Sequence, residues 1–162
     1  MKKLFILVFL ALPLVYSCKE DEPVTTNTDT DIRSNVIGEY NAHLTVFNAQ
    51  TGALITEDDY YFKVQKNSKD ASQVQWYLDG LYLFMNAQNF RNISVGIAFD
   101  VPEQELKDFG TLKGKNYINV DGDNQRYTGI WYTSSKSFTI YMEKDNGGSA
   151  DDYLYEWKMT LK

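Results

Sequence analysis

The chain has 162 residues and a formal net charge of −6, from 22 acidic and 16 basic residues. That length suits one domain with a substantial core, and the acidic balance argues against nucleic-acid binding, which needs clustered Lys and Arg. One cysteine and one histidine exclude an internal disulfide and argue against a zinc site.

The first segment of the chain predicts export. Lys2 and Lys3 precede an apolar run at residues 4–15, and Ser17 and Cys18 follow it. This run is shorter than the roughly 20 residues that a membrane span needs, so we expect residues 1–17 to be a signal peptide. Residues 14–18, LVYSC, resemble a bacterial lipobox. The resemblance implies that the chain is cleaved before Cys18 and that acyl chains are attached at Cys18. Two or more such chains hold a protein stably on a membrane. The alternative is an ordinary cleaved signal with an incidental cysteine.

Residues 18–34 are predicted to be a flexible tether, because they are rich in Thr and Asp and nearly free of apolar side chains. Lys19 and the acids at residues 20–22 resemble the surface-export signal of Bacteroidetes lipoproteins. The alternative is a solvated charge run. We therefore expect an outer-membrane lipoprotein exposed at the cell surface, with a periplasm-facing orientation as the alternative. The folded domain is predicted over residues 35–162.

From Val36 onward, apolar side chains recur at every second residue, which predicts half-buried strands. Turn residues separate these segments, and Asp79-Gly80 is the strongest two-residue hairpin signal. We expect an all-β domain of eight or nine antiparallel strands in a meander, which must close on itself or fold into a sandwich to protect its edges. Residues 103–109, preceded by Pro102, are the one candidate for a short helix.

The start of the domain resembles a known family. Residues 38–46, GEYNAHLTV, combine a Gly-x-Tyr step with a strand that ends in Leu-Thr-Val. They resemble the opening of the calycin-like, or lipocalin-like, barrels of Bacteroidetes lipoproteins, although lipocalins proper have Trp where Tyr40 stands. The resemblance implies an up-and-down β-barrel with room for an internal cavity, and it supplies no catalytic residues.

Few residues are candidates for catalysis or metal binding. His43 lies on the polar face of the first predicted strand, and the sequence gives it neither a nucleophile nor an orienting partner. No pair of carboxylates is singled out by its spacing. Residues 119–124 offer oxygen ligands, but they lack the spacing of a calcium-binding EF-hand, and a plain hairpin turn is the better interpretation. We predict no catalytic residue, metal, cofactor or enzymatic activity.

Aromatic residues are in excess, with 12 Tyr, 9 Phe and 3 Trp. Buried Tyr and Trp seek hydrogen-bond partners, so inward-facing ones suit a cavity or a barrel mouth as well as a packed interior. Our ligand-binding candidates are the aromatic residues at inward positions: Tyr40, Tyr60, Trp76, Tyr127, Trp131, Tyr155 and Trp157. A second set is predicted on the opposite faces, exposed singly or as a contact patch: Tyr61, Tyr77, Tyr82, Phe84, Tyr132 and Tyr141.

Two functions remain open from the sequence. The first is a tethered binding module that holds a small apolar molecule, a glycan or a peptide in or beside an aromatic-lined barrel. The second is an interaction or structural lipoprotein with a solid core, such as an inhibitor, an accessory subunit or an adhesin component. A cavity of a few hundred cubic ångström among the aromatic residues favours the first, and a filled core with an outer apolar patch favours the second.

Overall fold

The computed structural model describes residues 31–144 and 152–162. The predicted signal peptide, Cys18 and most of the predicted tether lie outside the described residues, as does the turn at residues 146–148. The described elements, in chain order, are a 3-10 helix (Ile32–Val36) and the strands β1 (Gly38–Asn48), β2 (Leu54–Lys66), β3 (Val74–Leu78), β4 (Tyr82–Ile93), β5 (Gly96–Asp100), β6 (Gln104–Leu106), β7 (Gly110–Gly114), β8 (Ile118–Asn119), β9 (Arg126–Tyr127), β10 (Gly129–Tyr132), β11 (Ser137–Lys144) and β12 (Tyr153–Leu161).

Eight antiparallel strands close into a barrel, which confirms the predicted fold class. The order around the barrel is β1-β2-β3-β4-β5-β10-β11-β12, and β12 pairs back with β1. Apart from the insertion between β5 and β10, each strand lies beside its neighbour in the chain, as in an up-and-down calycin-like barrel. Because the sheet closes on itself, each of these eight strands pairs with a neighbour on both sides, and the barrel has no free edge strand.

The β3–β4 connection is the hairpin that the sequence predicts. Asp79 and Gly80 have φ angles of 52° and 68°, and the amide of Leu81 donates to the carbonyl of Leu78 at 3.1 Å. A two-residue turn with positive φ at both positions matches the right-handed twist of the flanking strands, and Asp-Gly adopts it at low cost.

Residues 101–128 form an insertion, and the helix predicted at residues 103–109 is wrong. This segment contains β6 and a tight turn into β7, in which Asp108 and Gly110 have φ angles of 68° and 78°. Gln104 binds across to β4: its Nε2 donates to the carbonyl of Asn86 at 3.0 Å, and its Oε1 accepts from the amide of Asn86 at 2.8 Å. Leu106 is buried in the barrel core. Long-range pairing and burial thus override the local helical signal.

The β8–β9 hairpin covers part of the outer surface of the barrel. It buries a second, smaller apolar cluster, whose buried members are Ala98, Ile118, Val120, Tyr127 and Ile130. The Asp-rich residues 119–124 form the turn of this hairpin, where Asp123 accepts hydrogen bonds from the amide of Gln125 at 2.9 Å and from the Tyr127 hydroxyl. Among the described residues, no group of three or more His, Cys, Asp or Glu side chains is placed to hold a metal ion.

The two ends of the barrel differ. We call one end of the barrel the base. It carries the 3-10 helix and the turns at residues 67–73, 94–95 and 133–136. We call the opposite end the mouth, and it carries the turns at residues 49–53 and 79–81 and the insertion. Val36 of the 3-10 helix is fully buried, and its carbonyl accepts a hydrogen bond from the Tyr40 hydroxyl at 3.0 Å. The described chain therefore enters the domain at the base.

Candidate functional site

The barrel interior holds two groups of aromatic rings. The base cluster consists of Tyr40, Trp76, Phe90, Phe99 and Phe138, with ring centroids 4.9 to 5.7 Å apart. The mouth cluster consists of Tyr60, Phe62, Phe84, Phe109, Tyr155 and Trp157, with ring centroids 5.1 to 6.5 Å apart. These rings fill the middle of the barrel, so the mouth is the part of the interior that has room for a ligand.

Six of the seven predicted inward aromatic residues lie in or against the interior core; they are Tyr40, Tyr60, Trp76, Trp131, Tyr155 and Trp157. The seventh, Tyr127, is buried in the cluster outside the barrel. It belongs to β9, which pairs with β8 rather than with a barrel strand. The alternation of inward and outward side chains that was predicted for residues 127–131 therefore fails at the break between β9 and β10.

Phe84 is the reverse case, because the structure buries a residue that we predicted outside. Trp76 pairs with Met85 and Tyr77 pairs with Leu83, which leaves Phe84 as an extra residue in β4. This β-bulge changes which residues of β4 face inward, and only 3% of Phe84 is exposed. Phe84 thereby joins the mouth cluster.

A pocket of about 340 Å³ opens at the mouth. Its walls come from β1, β2, β12 and the β6–β7 turn, and its lining residues are Leu44, Val46, Ile55, Thr56, Asp58, Tyr60, Phe109, Tyr153 and Tyr155. Two of the predicted candidates, Tyr60 and Tyr155, lie in this lining. Trp76, Trp131 and Trp157 do not line it, although Trp157 lies directly against two lining rings, with centroids 5.3 Å from Tyr60 and 5.9 Å from Phe109.

The register of β2 explains how a carboxylate comes to lie in this pocket. Thr56, Asp58 and Tyr60 alternate along β2 in phase with the buried Phe62, and Asp58 pairs with Leu44 of β1. Asp58 therefore occupies an inward position, and its Oδ2 accepts a hydrogen bond from the Tyr60 hydroxyl at 3.3 Å. Sequence reasoning missed Asp58, although the same alternation that selected Tyr60 places an acid two residues before it.

Phe109 is the other lining residue that sequence reasoning missed. It stands between Asp108 and Gly110 at the turn of the β6–β7 hairpin, and its ring contacts Tyr60, Phe84, Tyr155 and Trp157. The hairpin is anchored by the buried Leu106 and Leu112. Alternating Leu106 and Leu112 around a Gly-containing turn was the available signal for a hairpin.

The phenols of Tyr60 and Tyr155 stay protonated at neutral pH. Burial raises the pKa of Tyr155, with a smaller contribution from Tyr153. Burial also raises the pKa of Tyr60, and the carboxylates of Asp58 and Asp108 raise it further. Neutral hydroxyls can donate and accept hydrogen bonds at the edge of a bound molecule, so the pocket combines apolar walls, neutral phenols and one carboxylate.

A second depression, of about 500 Å³, lies on the outer face of β12, β1 and β2 and includes His43, Asp59 and Lys158. His43 Nδ1 lies 2.8 Å from Asp59 Oδ1, and His43 Nε2 lies 3.6 Å from Glu57 Oε1. The contact with Asp59, and secondarily Glu57, raises the pKa of His43. The His43 side chain is 46% exposed, and those of Glu57 and Asp59 are 51% and 86% exposed, so this cluster is an ion-pair network on the surface.

Comparison with known proteins does not extend these observations. The chain matches no protein-family model, no curated protein and no solved structure. Within the two described ranges, the helical structure is limited to short turns, and none is long and apolar enough to cross a bilayer.

Proposed function

We propose that the protein is a tethered binding module, anchored as an outer-membrane lipoprotein through Cys18, whose barrel mouth holds a small molecule with an apolar face. The ligand is an apolar compound, the ring face of a glycan or the side chain of a peptide. The observation that carries this proposal is the pocket of about 340 Å³ among Tyr60, Phe109 and Tyr155. Its size falls at the lower end of the few hundred to a thousand Å³ usual for small-molecule sites.

The position of the pocket supports a role on a surface. The described chain enters at the base, and the pocket lies at the opposite end of the barrel. A tether that continues from the base would leave the mouth pointing away from the membrane. We infer from this geometry that the mouth faces the medium, at the cell surface or, as the alternative, in the periplasm.

The proposal can be tested with a neutral apolar dye, N-phenyl-1-naphthylamine, whose fluorescence rises when it leaves water. The full-length protein should bind it in a saturable way and should quench or shift the emission of Trp157. Tyr153→Ala removes a half-buried wall of the pocket and should weaken binding about tenfold, within the range for losing one aromatic contact.

Tyr82→Ala is the matched control, because Tyr82 lies at the mouth end but outside the pocket and is 53% exposed. If the wild type and both variants bound the dye equally well, the dye would bind at a site other than this pocket. Absence of saturable binding by the wild type would overturn the proposal in favour of the second function.

That second function, an interaction lipoprotein without a small ligand, is favoured by a different observation. Large apolar side chains are exposed near the mouth, including Leu54 at 56%, Leu81 at 75% and Leu83 at 46%. Leu81 and Leu83 lie on either side of Tyr82, which is 53% exposed, and neighbouring exposed apolar side chains are typical of contact surfaces. Native mass spectrometry of protein purified from its own host distinguishes the two functions, because it detects a bound small molecule or a bound subunit.

A further inference from the structure

The charges around the mouth pocket are unequal. Among the described residues that line this pocket, Asp58 is the only charged one, and Asp108, at the β6–β7 turn, lies close enough to the Tyr60 phenol to raise its pKa. Two lysines on or near the hairpin point elsewhere. Lys107 stacks on the Tyr82 ring with its Nζ 4.0 Å from the centroid, and Lys144 Nζ lies beside Gly110 rather than in the lining. The described lining therefore carries one formal negative charge and no positive one.

The rings of the pocket are arranged as walls rather than as a stack. Phe109 meets Tyr60 at an interplanar angle of 60° and Tyr155 at 75°, with centroids 6.3 and 5.9 Å away. These are edge-to-face contacts, in which the edge of one ring meets the face of another. Ring faces that such contacts leave uncovered carry negative electrostatic potential that attracts cations. Tyr153, the fourth ring of the lining, extends this aromatic surface along β12.

A carboxylate beside several aromatic faces is a recognition chemistry for organic cations. On the strength of the binding function proposed above, we propose that the mouth pocket selects a small alkylammonium compound without a phosphate group, held by the rings of Tyr60, Phe109 and Tyr155 and neutralised by Asp58. A phosphate would bring a negative charge next to Asp58 and Asp108, and the described residues of the lining include no Lys or Arg to receive it.

Choline and 3,3-dimethylbutan-1-ol provide a direct test, because they have nearly the same shape and only choline is charged. Each is titrated into the full-length protein preloaded with N-phenyl-1-naphthylamine, and displacement of the dye is measured. Choline should displace the dye at a concentration about tenfold lower than the neutral alcohol, as expected for a cation held by aromatic faces and one carboxylate.

Asp58→Asn should reduce this preference about fivefold, because it removes the charge and preserves the shape. Asp79→Asn is the matched control: Asp79 lies in the β3–β4 turn at the same end of the barrel, outside the pocket, and its substitution should leave the preference unchanged.

The outcomes separate this inference from the binding function on which it rests. Equal displacement by choline and the neutral alcohol would overturn cation selection and leave the apolar pocket standing. Failure of both compounds to displace a dye that binds would also overturn it. Stronger displacement by phosphocholine, or by vesicles of phosphatidylcholine, than by choline would overturn the phosphate-free ligand. A loss of preference in Asp79→Asn equal to that in Asp58→Asn would assign the effect to general surface charge.

Discussion

Trp157 is the residue at which the packed interior and the mouth pocket meet. It is fully buried, and its ring lies 5.3 Å from Tyr60, 5.5 Å from Phe62 and 5.3 Å from Phe84. The indole Nε1 atoms of Trp157 and Trp76 have no hydrogen-bond partner among the described residues. An unpartnered buried donor costs about 1–3 kcal/mol, so the packing of these large rings outweighs a substantial polar penalty.

His43 is the residue whose titration is most accessible to measurement, because it is the only histidine and gives one set of imidazole resonances. Its pKa in the folded protein is raised, first by the hydrogen bond with Asp59 and then by Glu57. We expect Asp59→Asn to lower the pKa of His43 in an NMR titration, and Glu57→Gln to lower it less, since Glu57 is 3.6 Å away and Asp59 is 2.8 Å away.

The sign of the stability effect follows from the direction of the shift. The folded protein binds the His43 proton more tightly than the unfolded chain, so this interaction stabilises the fold below about pH 6.5, the pKa of an unperturbed histidine. The contribution disappears as the pH rises through the higher pKa of the folded state. An unchanged His43 pKa in Asp59→Asn would contradict the ion pair.

The 3-10 helix is the element that closes the base, and the side chain of one acid at its start, Asp31, contacts both Arg33 and Lys66. Asp31 accepts from the amide of Arg33 at 3.1 Å and from Arg33 Nε at 2.8 Å, and its Oδ2 lies 2.8 Å from Lys66 Nζ of β2. The hydrogen bond with Arg33, followed by that with Lys66, holds the pKa of Asp31 well below its usual range. These contacts fasten the segment that leads into the barrel to the strand beside it.

Asp31→Asn should therefore destabilise the protein by about 1 kcal/mol at neutral pH, the upper end of the range for an exposed ion pair, because Asn keeps an oxygen that caps the helix and loses only the charge. The Asp31 side chain is 36% exposed, so solvent screening limits the effect. Because the pKa is lowered in the folded state, the contribution is present above about pH 4 and is lost as the pH falls below it.

Denaturant unfolding at neutral pH and at about pH 3 measures this difference. The difference in the free energy of unfolding between the wild type and Asp31→Asn should be larger at neutral pH than at about pH 3. Asp121→Asn, in the exposed β8–β9 turn, is the control and should change the free energy of unfolding by about 0.5 kcal/mol or less. A gap that does not depend on pH would show that the Asp31 carboxylate contributes through its shape and not through its charge.

On the scale of the whole molecule, the start of the described chain and the proposed binding site lie at opposite ends of the barrel. The described chain starts at the base, and the mouth pocket is formed by the far ends of β1, β2 and β12 with the insertion. The net charge of −6 also favours the approach of cations over anions. A barrel tethered in this way would present its pocket to whatever reaches the surface.

Cys18→Ala tests the anchor. Without acyl chains at Cys18, the protein should move from the membrane fraction to the soluble fraction, because two or more chains supply stable attachment. Fractionation of host cells followed by a high-salt wash and immunoblotting measures the distribution, with Ser17→Ala, which keeps a small residue before the predicted cleavage site, as the control. A Cys18→Ala variant that stays in the washed membranes would contradict the anchor.

The alternation of apolar residues in this sequence was sufficient to predict an antiparallel all-β domain, because a strand with one buried face must repeat every two residues. The choice of a barrel over a sandwich came from the resemblance of residues 38–46 to calycin-like barrels. The same alternation placed Tyr40, Trp76 and Trp157 inside correctly, and Asp79-Gly80 predicted its hairpin from local turn chemistry alone. These features depend on interactions between residues close in the chain.

Only the tertiary structure decided the positions of Phe84, Phe109 and Tyr127. A bulge set by the pairing of β3 with β4 turned Phe84 inward, and the β8–β9 hairpin placed Tyr127 outside the barrel. Phe109 reached the mouth because its hairpin pairs with β11 and packs on the core. Register shifts and the docking of an insertion depend on contacts between residues far apart in the chain, which local periodicity does not encode. The pocket at the mouth is a product of those long-range contacts.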